Sequence, residues 1–466
     1  VKDFTTGSIP RLMIKFLIPL LLSNMLQAAY MIIDAIWAGR LIGPSGVAIV
    51  ATGMPVVFLL SSLIAGIIIG ASILAGQAFG SKNHSALSDI ISTSLIGTVA
   101  ASVIVSIIGV VFCGMLLKAI STPPELYHGA RIFLSLIIGS MTLSSLGMWF
   151  SAIMNATGDS KTPFKILLVS LIINSVLAPL LITGAGVIAP LGVAGSAVST
   201  IIANIVAAVI SYFALKNHRL FEIVTLKFEV HWKTFKKIVG IGFPMALQMI
   251  IVSSSFLFIL SLANRFGANV TAAFGIGSRV DQLAFLASFA VTAAISAMTA
   301  QHIGARKLER IPQIMNWGLL LSVGMALLFS AAVLIFPDAV TGLFTKDRDV
   351  ILLTNHYLRY AGVSYLALAV LFAYQGVLRG AGDTLPSFII IASTMIFLRV
   401  PLCFILSHKT ALRESGLWAG ILISSIAGAV AFYFYYSGGR WKKRGLKLTR
   451  TEEEVKPEPL YMPEIP

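Results

Sequence analysis

The sequence predicts an all-α integral membrane protein, built as twelve transmembrane helices in two pseudo-symmetric six-helix lobes that repeat in the same orientation. Three observations carry that expectation. Of 466 residues, 57% are hydrophobic and only 11% are charged, against about 25% charged in an average soluble domain. The mean hydropathy is +0.91, and a soluble fold has nowhere to hide that much apolar surface. The apolar residues also fall into long unbroken runs, and a set of landmarks occurs twice at constant spacing.

The runs cover residues 12–36, 47–76, 89–117, 130–154, 163–184, 190–215, 238–263, 271–299, 313–336, 351–377, 386–407 and 415–437. Each is long enough to cross a bilayer once as a helix, which takes about 20 residues. They are continuous and rich in Leu, Ile, Val and Ala, whereas barrel strands would be short and alternating. The first run is too long for a cleaved signal peptide and lacks a small-residue cleavage site, so it is read as a membrane helix.

An even number of crossings puts both termini on one side. Sorting Lys and Arg by loop places 23 on the terminus side and 8 on the other, with Arg279, Arg359 and Arg399 inside or at the ends of helices. Basic loops stay cytoplasmic, so both termini are expected in the cytoplasm of a cell with this protein in its cytoplasmic (inner) membrane. The net charge of +15 is thereby explained by orientation, and no nucleic-acid partner is expected. The tail from Arg440 starts basic, suited to anionic headgroups, and ends Pro-rich and acidic, a composition expected to be disordered. Cys113 and Cys403 lie in apolar runs and are read as small packing residues.

The landmarks are Pro19 and Pro244, 225 residues apart, and three pairs 224 apart: Gln77-Ala-Phe-Gly80 with Gln301-His-Ile-Gly304, Gly158-Asp159 with Gly382-Asp383, and Gly192 with Gly416. Six helices per copy keep both copies in the same orientation, related by an axis along the membrane normal, with a cavity between them. The expected divisions are an N-terminal lobe over residues 1–215, a basic cytoplasmic linker over 216–237, a C-terminal lobe over 238–437 and a tail over 438–466. Two lobes rocking about a central site is transporter architecture. An integral-membrane enzyme would need clustered His, Asp or Ser groups at an interface, and none stands out.

Ionisable groups deep in a membrane are costly and mark function. Asp34 lies within Met31-Ile-Ile-Asp34-Ala-Ile-Trp37, and Asp281 within Gly277-Ser-Arg279-Val-Asp281-Gln282. Helical spacing puts Gln27, Tyr30 and Met31 on the Asp34 face, with Ser23 and Asn24 continuing the stripe. A lone carboxylate there is suited to load and release a proton or to grip a cation. Pro19 removes a backbone hydrogen bond from the same helix and is either a hinge or a fixed kink. Asp281, with Arg279 two residues away on another face, is a candidate second coupling site or a structural ion pair. Asn174, Ser196, Ser199, Thr200 and Asn204 are small polar residues in apolar helices, where they either pack or bind. Gly66-x-x-x-Gly70 reads as a packing surface. The chain has no Walker lysine motif, no metal-ligand spacing of His and no expected cofactor.

These pieces resemble the MATE (multidrug and toxic compound extrusion) family, most closely its DinF-type bacterial branch. The resemblance rests on Gln27-x-x-Tyr30-x-x-x-Asp34-x-x-Trp37 with Pro19 upstream, Gly192-Val-Ala-Gly195-Ser-Ala-x-x-Thr200, Gly275-Ile-Gly277-x-Arg279-Val-Asp281 and Arg379-Gly-Ala-Gly382-Asp383. It implies two lobes around an outward-opening V and cation-coupled antiport of amphipathic, often cationic, compounds. It also implies Asp34 as the coupling residue, with Asn174 and Thr200 in its network. One departure matters. Many relatives carry an aspartate four residues after the helix 5 asparagine, and here that position is Ala178. With one carboxylate the expected coupling ion is the proton, sodium being the alternative. A flippase for lipid-linked saccharides is the rival function. The expected partners are small amphipathic molecules and membrane lipids, and the chain is expected to act as a monomer.

Overall fold

The computed structural model describes residues 3–184, 189–216 and 229–449, and all regular structure among them is helical. The membrane-length helices are α1 (Ile9–Ile42), α2 (Pro44–Gly80), α3 (His84–Val111), α4 (Pro124–Gly139 with Met141–Ala156), α5 (Lys161–Thr183) and α6 (Val193–Lys216). The second set is α7 (Trp232–Asn264), α8 (Ala268–Gly304), α9 (Ile311–Ile335), α10 (Arg348–Gly380), α11 (Thr384–His408) and α12 (Glu414–Ser437). A shorter α13, Arg440–Thr449, follows. Eleven of the twelve are long and apolar enough to span a membrane alone, and α4 qualifies as a pair bent by 45°.

Most differences from the sequence expectation are local. The run 130–154 is not one straight helix. Gly139 and Ser140 mark its bend, where the Ser140 hydroxyl donates to the Ile137 carbonyl at 2.9 Å, a usual cause of a kink. The run 89–117 breaks at Phe112, and Cys113–Ala119 forms a separate short helix. That helix buries Cys113 and Leu117 against Leu134 and Ile138 of α4, so its apolar side is satisfied by packing rather than by lipid. Helix α1 runs unbroken through buried Pro19 and leaves α geometry only in a π-turn at Ala38–Ile42, beyond Asp34. The expected linker falls mainly on residues outside the described ones, and its end from Trp232 is already α7.

The lobes touch along α2 and α7. A Cβ on Gly66 would collide with the Gly242 carbonyl, and one on Gly70 with the Ile238 carbonyl. The expected packing surface is therefore real and joins the two lobes. At the end bearing both termini the seam is sealed twice over. Gln77 Nε2 donates to the Gly380 carbonyl at 3.0 Å, and Gln301 Nε2 donates to the Ala156 carbonyl at 2.8 Å. Around them α1 buries Ile9, Met13, Phe16, Leu17 and Leu20 in a core shared with α8, α10 and α12. Along the far half of α1, Met25, Met31 and Ile32 are each more than half exposed. The seam between the lobes is thus closed at the terminus side.

Segments near both ends of the described residues strap the closed side. Phe4 is fully buried and its N–H donates to Gln301 Oε1 at 3.0 Å. Lys307 and Arg310 donate to the Thr5 carbonyl. Trp441 of α13 is 1% exposed and stacks on Tyr436. The tail's first basic turn is therefore anchored through its tryptophan in the C-terminal lobe, leaving Lys442 and Lys443 exposed.

Candidate functional site

Helix α6 sets up the first polar node. Ser199 and Thr200 both spend their hydroxyl hydrogens on the Ser196 carbonyl, at 2.8 and 3.2 Å. Their oxygens are left as acceptors, and Asn174 Nδ2 of α5 donates to both, at 3.3 and 3.2 Å. The amide hydrogens are thereby used, and Asn174 Oδ1 remains a buried acceptor without a donor among the described residues. Next to it lies the Asp34 carboxyl of α1. Asp34 Oδ1 is likewise buried and unpartnered, as is the hydroxyl of Tyr30 one turn earlier, beside Thr200. Buried polar groups are normally paired, so this concentration is unusual.

The sequence-predicted residues divide here. Asp34, Tyr30, Asn174 and Thr200 come together. Gln27 and Met31 share the Asp34 side of α1 but are exposed, Met31 by 52%, and they make no hydrogen bond among the described residues that joins them to the node. Ser23 turns back to the Pro19 carbonyl, and Asn24 donates across the lobes to the Leu286 carbonyl at 2.9 Å. Ala178 is fully buried and offers no oxygen. Ser199 belongs to the node as much as Thr200 does, although its small size alone suggested packing.

The second node lies in the other lobe, and the sequence foresaw only part of it. Asp281 of α8 accepts from Tyr365 Oη at 2.7 Å on one oxygen and from Tyr357 Oη at 2.5 Å on the other. Both tyrosines come from α10 and are at most 3% exposed. Arg399 of α11 lies within electrostatic reach, and it is held by Ser424 and Ser425 of α12 at 2.8 and 3.1 Å. Arg279 is exposed, on another face of α8 as its spacing of two residues implies, and does not join this node among the described residues. The repeat itself carries a signal for this node. Asn174, Ser199 and Thr200 lie 225 residues before Arg399, Ser424 and Ser425, the same step that separates Pro19 from Pro244. This part of the two nodes is thus written twice, with an amide in one lobe and a guanidinium in the other, whereas the carboxylates do not correspond: Ile259 stands at the repeat position of Asp34.

A family model, MatE, matches residues 19–180 and again residues 244–405. The chain belongs to the MatE family. The two matches start at Pro19 and Pro244, so the duplication of the sequence is also the duplication of the family unit. The chain is 31% identical over 441 residues to the probable multidrug resistance protein YoeA of Bacillus subtilis, covering 94% of this chain and 95% of that one. It is 25% identical to the probable multidrug resistance protein NorM of Thermotoga maritima, covering 95% of each. Among solved structures, a MATE crystal structure in the bent conformation superposes with a TM-score of 0.88 at 22% identity, covering 96% of this chain and 98% of that one. This MatE chain is therefore a multi-pass membrane transporter with the two-lobe architecture, and not an enzyme. Among the described residues no cluster of three or more His, Cys, Asp or Glu is placed to hold a metal ion.

Proposed function

We propose that this transporter exports amphipathic, often cationic, compounds from the cytoplasm by alternating access, in exchange for a cation that binds at Asp34. The observation that carries the reading is the buried carboxyl oxygen Asp34 Oδ1, left without a partner among the described residues, with the Asn174 amide and the unpartnered Tyr30 hydroxyl beside it. A buried carboxyl with an unused oxygen is a place where a proton can be held. Loading it removes the charge, and unloading it restores a charge that a cationic substrate can meet. Proton and substrate then compete for one carboxylate, which is the antagonism that coupled export needs.

Several features support the proton over sodium. Asp34 is the node's single carboxylate, and buried Ala178 supplies no second one. Sodium is the alternative because Tyr30 Oη and Asn174 Oδ1 are two further free oxygens beside it. The names of the relatives, probable multidrug resistance proteins, support a drug-like substrate. The loop bias of Lys and Arg supports cytoplasmic termini, a cytoplasmic linker over residues 216–237 and a closed cytoplasmic end. The motif around Gln27, Tyr30 and Asp34 supports the DinF-type branch, and we take the monomer as the working unit.

The test uses everted vesicles with wild-type protein or Asp34→Asn, a proton or a sodium gradient imposed separately, and a fluorescent cationic dye. Uptake driven only by the proton gradient, and absent in Asp34→Asn, is expected. Uptake driven only by sodium refutes proton coupling. A fully active Asp34→Asn refutes the site.

A further inference from the structure

Helix α13 lies against the closed seam. It follows α12 after a turn at Gly438-Gly439, with φ +67° at Gly439. Trp441 Nε1 donates to the Tyr436 carbonyl at 3.0 Å, and the two rings stack. Tyr435 Oη, at the end of α12, donates to Asp383 Oδ2 at 2.6 Å. One turn after Trp441, Gly445 is buried as well. A Cβ there would lie 3.0 Å from the Ile303 side chain and 3.5 Å from the Ala381 carbonyl oxygen. Glycine is a poor residue for a helix interior, and this close approach accounts for it. Ile303 stands two residues past Gln301, and Ala381 one past Gly380. Helix α13 therefore rests beside the C-terminal-lobe member of each cross-seam hydrogen bond. Phe4, whose N–H reaches Gln301, is buried in the same core as Trp441, Ile303 and Ala381.

The rest of α13 is basic. Its sequence holds Arg440, Lys442, Lys443, Arg444 and Lys447 and no acidic residue, and Arg440, Lys442 and Lys443 are exposed. The helix begins three residues after Ser437, where the span α12 ends. Three residues reach at most about 10 Å, which is about one Debye length at physiological salt. Within that range an anionic leaflet attracts each basic residue. We propose that α13 is a lipid-sensing clamp: anionic phospholipid attracts its exposed basic face, holds the helix against Ile303 and Ala381, and so stabilises the closed latch. Docking buries Trp441 and Gly445 and leaves these charges free, so packing and lipid attraction add. A freed helix would swing about Gly438-Gly439 and spend part of its time beyond reach of the leaflet. The attraction is thus stronger in the docked state, and a difference of that kind is what shifts an equilibrium. The inference rests on the alternating-access reading above and makes lipid charge at the terminus side a regulator of opening.

Hydrogen–deuterium exchange of the full-length protein in nanodiscs tests this. Discs of phosphatidylcholine alone are compared with discs in which one lipid in three is phosphatidylglycerol. The readout is exchange at residues 3–8 and 301–307, which include the Phe4, Arg306 and Lys307 N–H groups bonded at the closed end. Exchange there reports local opening. The anionic discs should slow it about tenfold, and raised salt should remove most of the difference. In the triple variant Arg440→Gln, Lys442→Gln, Lys443→Gln, both discs should give the rate that the wild type shows in phosphatidylcholine. Trp441→Ala keeps every charge and loses the anchor, so exchange should be fast in both discs. A wild-type rate equal in the two lipids, or faster in the anionic one, overturns the inference. So does a lipid effect that survives in the triple variant or in Trp441→Ala. A charge effect of equal size in both discs gives the basic face a partner other than lipid and overturns it too. Both faces of a disc carry the same lipid, so the result does not depend on which side of the membrane the termini lie. If exchange responds as expected and the everted vesicles move no dye, the export reading alone falls.

Discussion

Gln77 and Gln301 perform the same act from opposite lobes: each sends its side-chain amide across the seam to a backbone carbonyl, of Gly380 and of Ala156. The four residues form two pairs 224 apart, Gln77 with Gln301 and Ala156 with Gly380, so the latch has the symmetry of the repeat. Its glycines complete it. A Cβ on Gly80 would strike the Gln301 carbonyl, and one on Gly304 the Gln77 carbonyl.

The latch must open for the cleft to face the terminus side. Each glutamine is buried, and removing one leaves a carbonyl unpaired at a cost of about 1–3 kcal/mol. Gln301→Ala should cost more than Gln77→Ala, because Gln301 Oε1 also accepts from the Phe4 N–H. Labelling by a thiol reagent of a cysteine placed on the closed side of α8 should rise in both variants. Unchanged labelling would show that the apolar core alone keeps the seam shut.

Asp281 is satisfied on both oxygens where Asp34 is not, so its removal should act on stability first. Tyr357→Phe and Tyr365→Phe should each lower thermal stability, by about 1–3 kcal/mol at this buried charge. Asp281→Asn should lower it further by leaving Arg399 unbalanced. Combining it with Arg399→Gln should recover part of the loss, since a buried pair is often worth less than its broken half costs. A stable Asp281→Asn that no longer transports would instead assign Asp281 to the coupling cycle.

Asn174 supplies the amide beside Asp34. Asn174→Leu removes that amide and its hydrogen bonds to Ser199 and Thr200. Dye export driven by a proton gradient should fall about tenfold, the effect of losing one hydrogen bond to an ionisable group. Binding of the cationic dye at fixed pH should be affected less. Equal losses in both measurements would mean that the residue builds the pocket and does not tune coupling.

Trp441 anchors α13 in the C-terminal lobe, buried among side chains that include Tyr436. Trp441→Ala should cost about 3–5 kcal/mol of local packing and free the helix. Trypsin should then cut at Lys442 and Lys443 faster than in the wild type, with α1–α12 intact. Unchanged cleavage would show that other contacts hold α13 in place.

Much of the fold was legible in the sequence, because lipid restricts a spanning segment to satisfying its own backbone, so long apolar runs become helices. The breaks were less legible. Nothing in a run of Val and Ile distinguishes continuing α3 through Phe112 from breaking there into the separate helix Cys113–Ala119. The Gly139-Ser140 bend was also missed, though its residues are common kink formers.

The candidate site divides along the same line. Asp34 and Tyr30 share a face by helical spacing, and the departure at Ala178 can be read directly. The sequence by itself thus determined the membrane class, the twelve-run plan, the duplication and the acid at Asp34, all of which depend on local periodicity or on a linear repeat. Tertiary structure decided what each polar residue meets. It left Asn174 Oδ1 and Asp34 Oδ1 facing no donor, gave Asp281 two tyrosines from 76 and 84 residues away in place of its near neighbour Arg279, and set Arg399 where Asn174 stands in the other lobe. The physical reason is that hydrogen bonds between helices depend on which faces pack together, and packing between distant helices is not written in the spacing along any one of them.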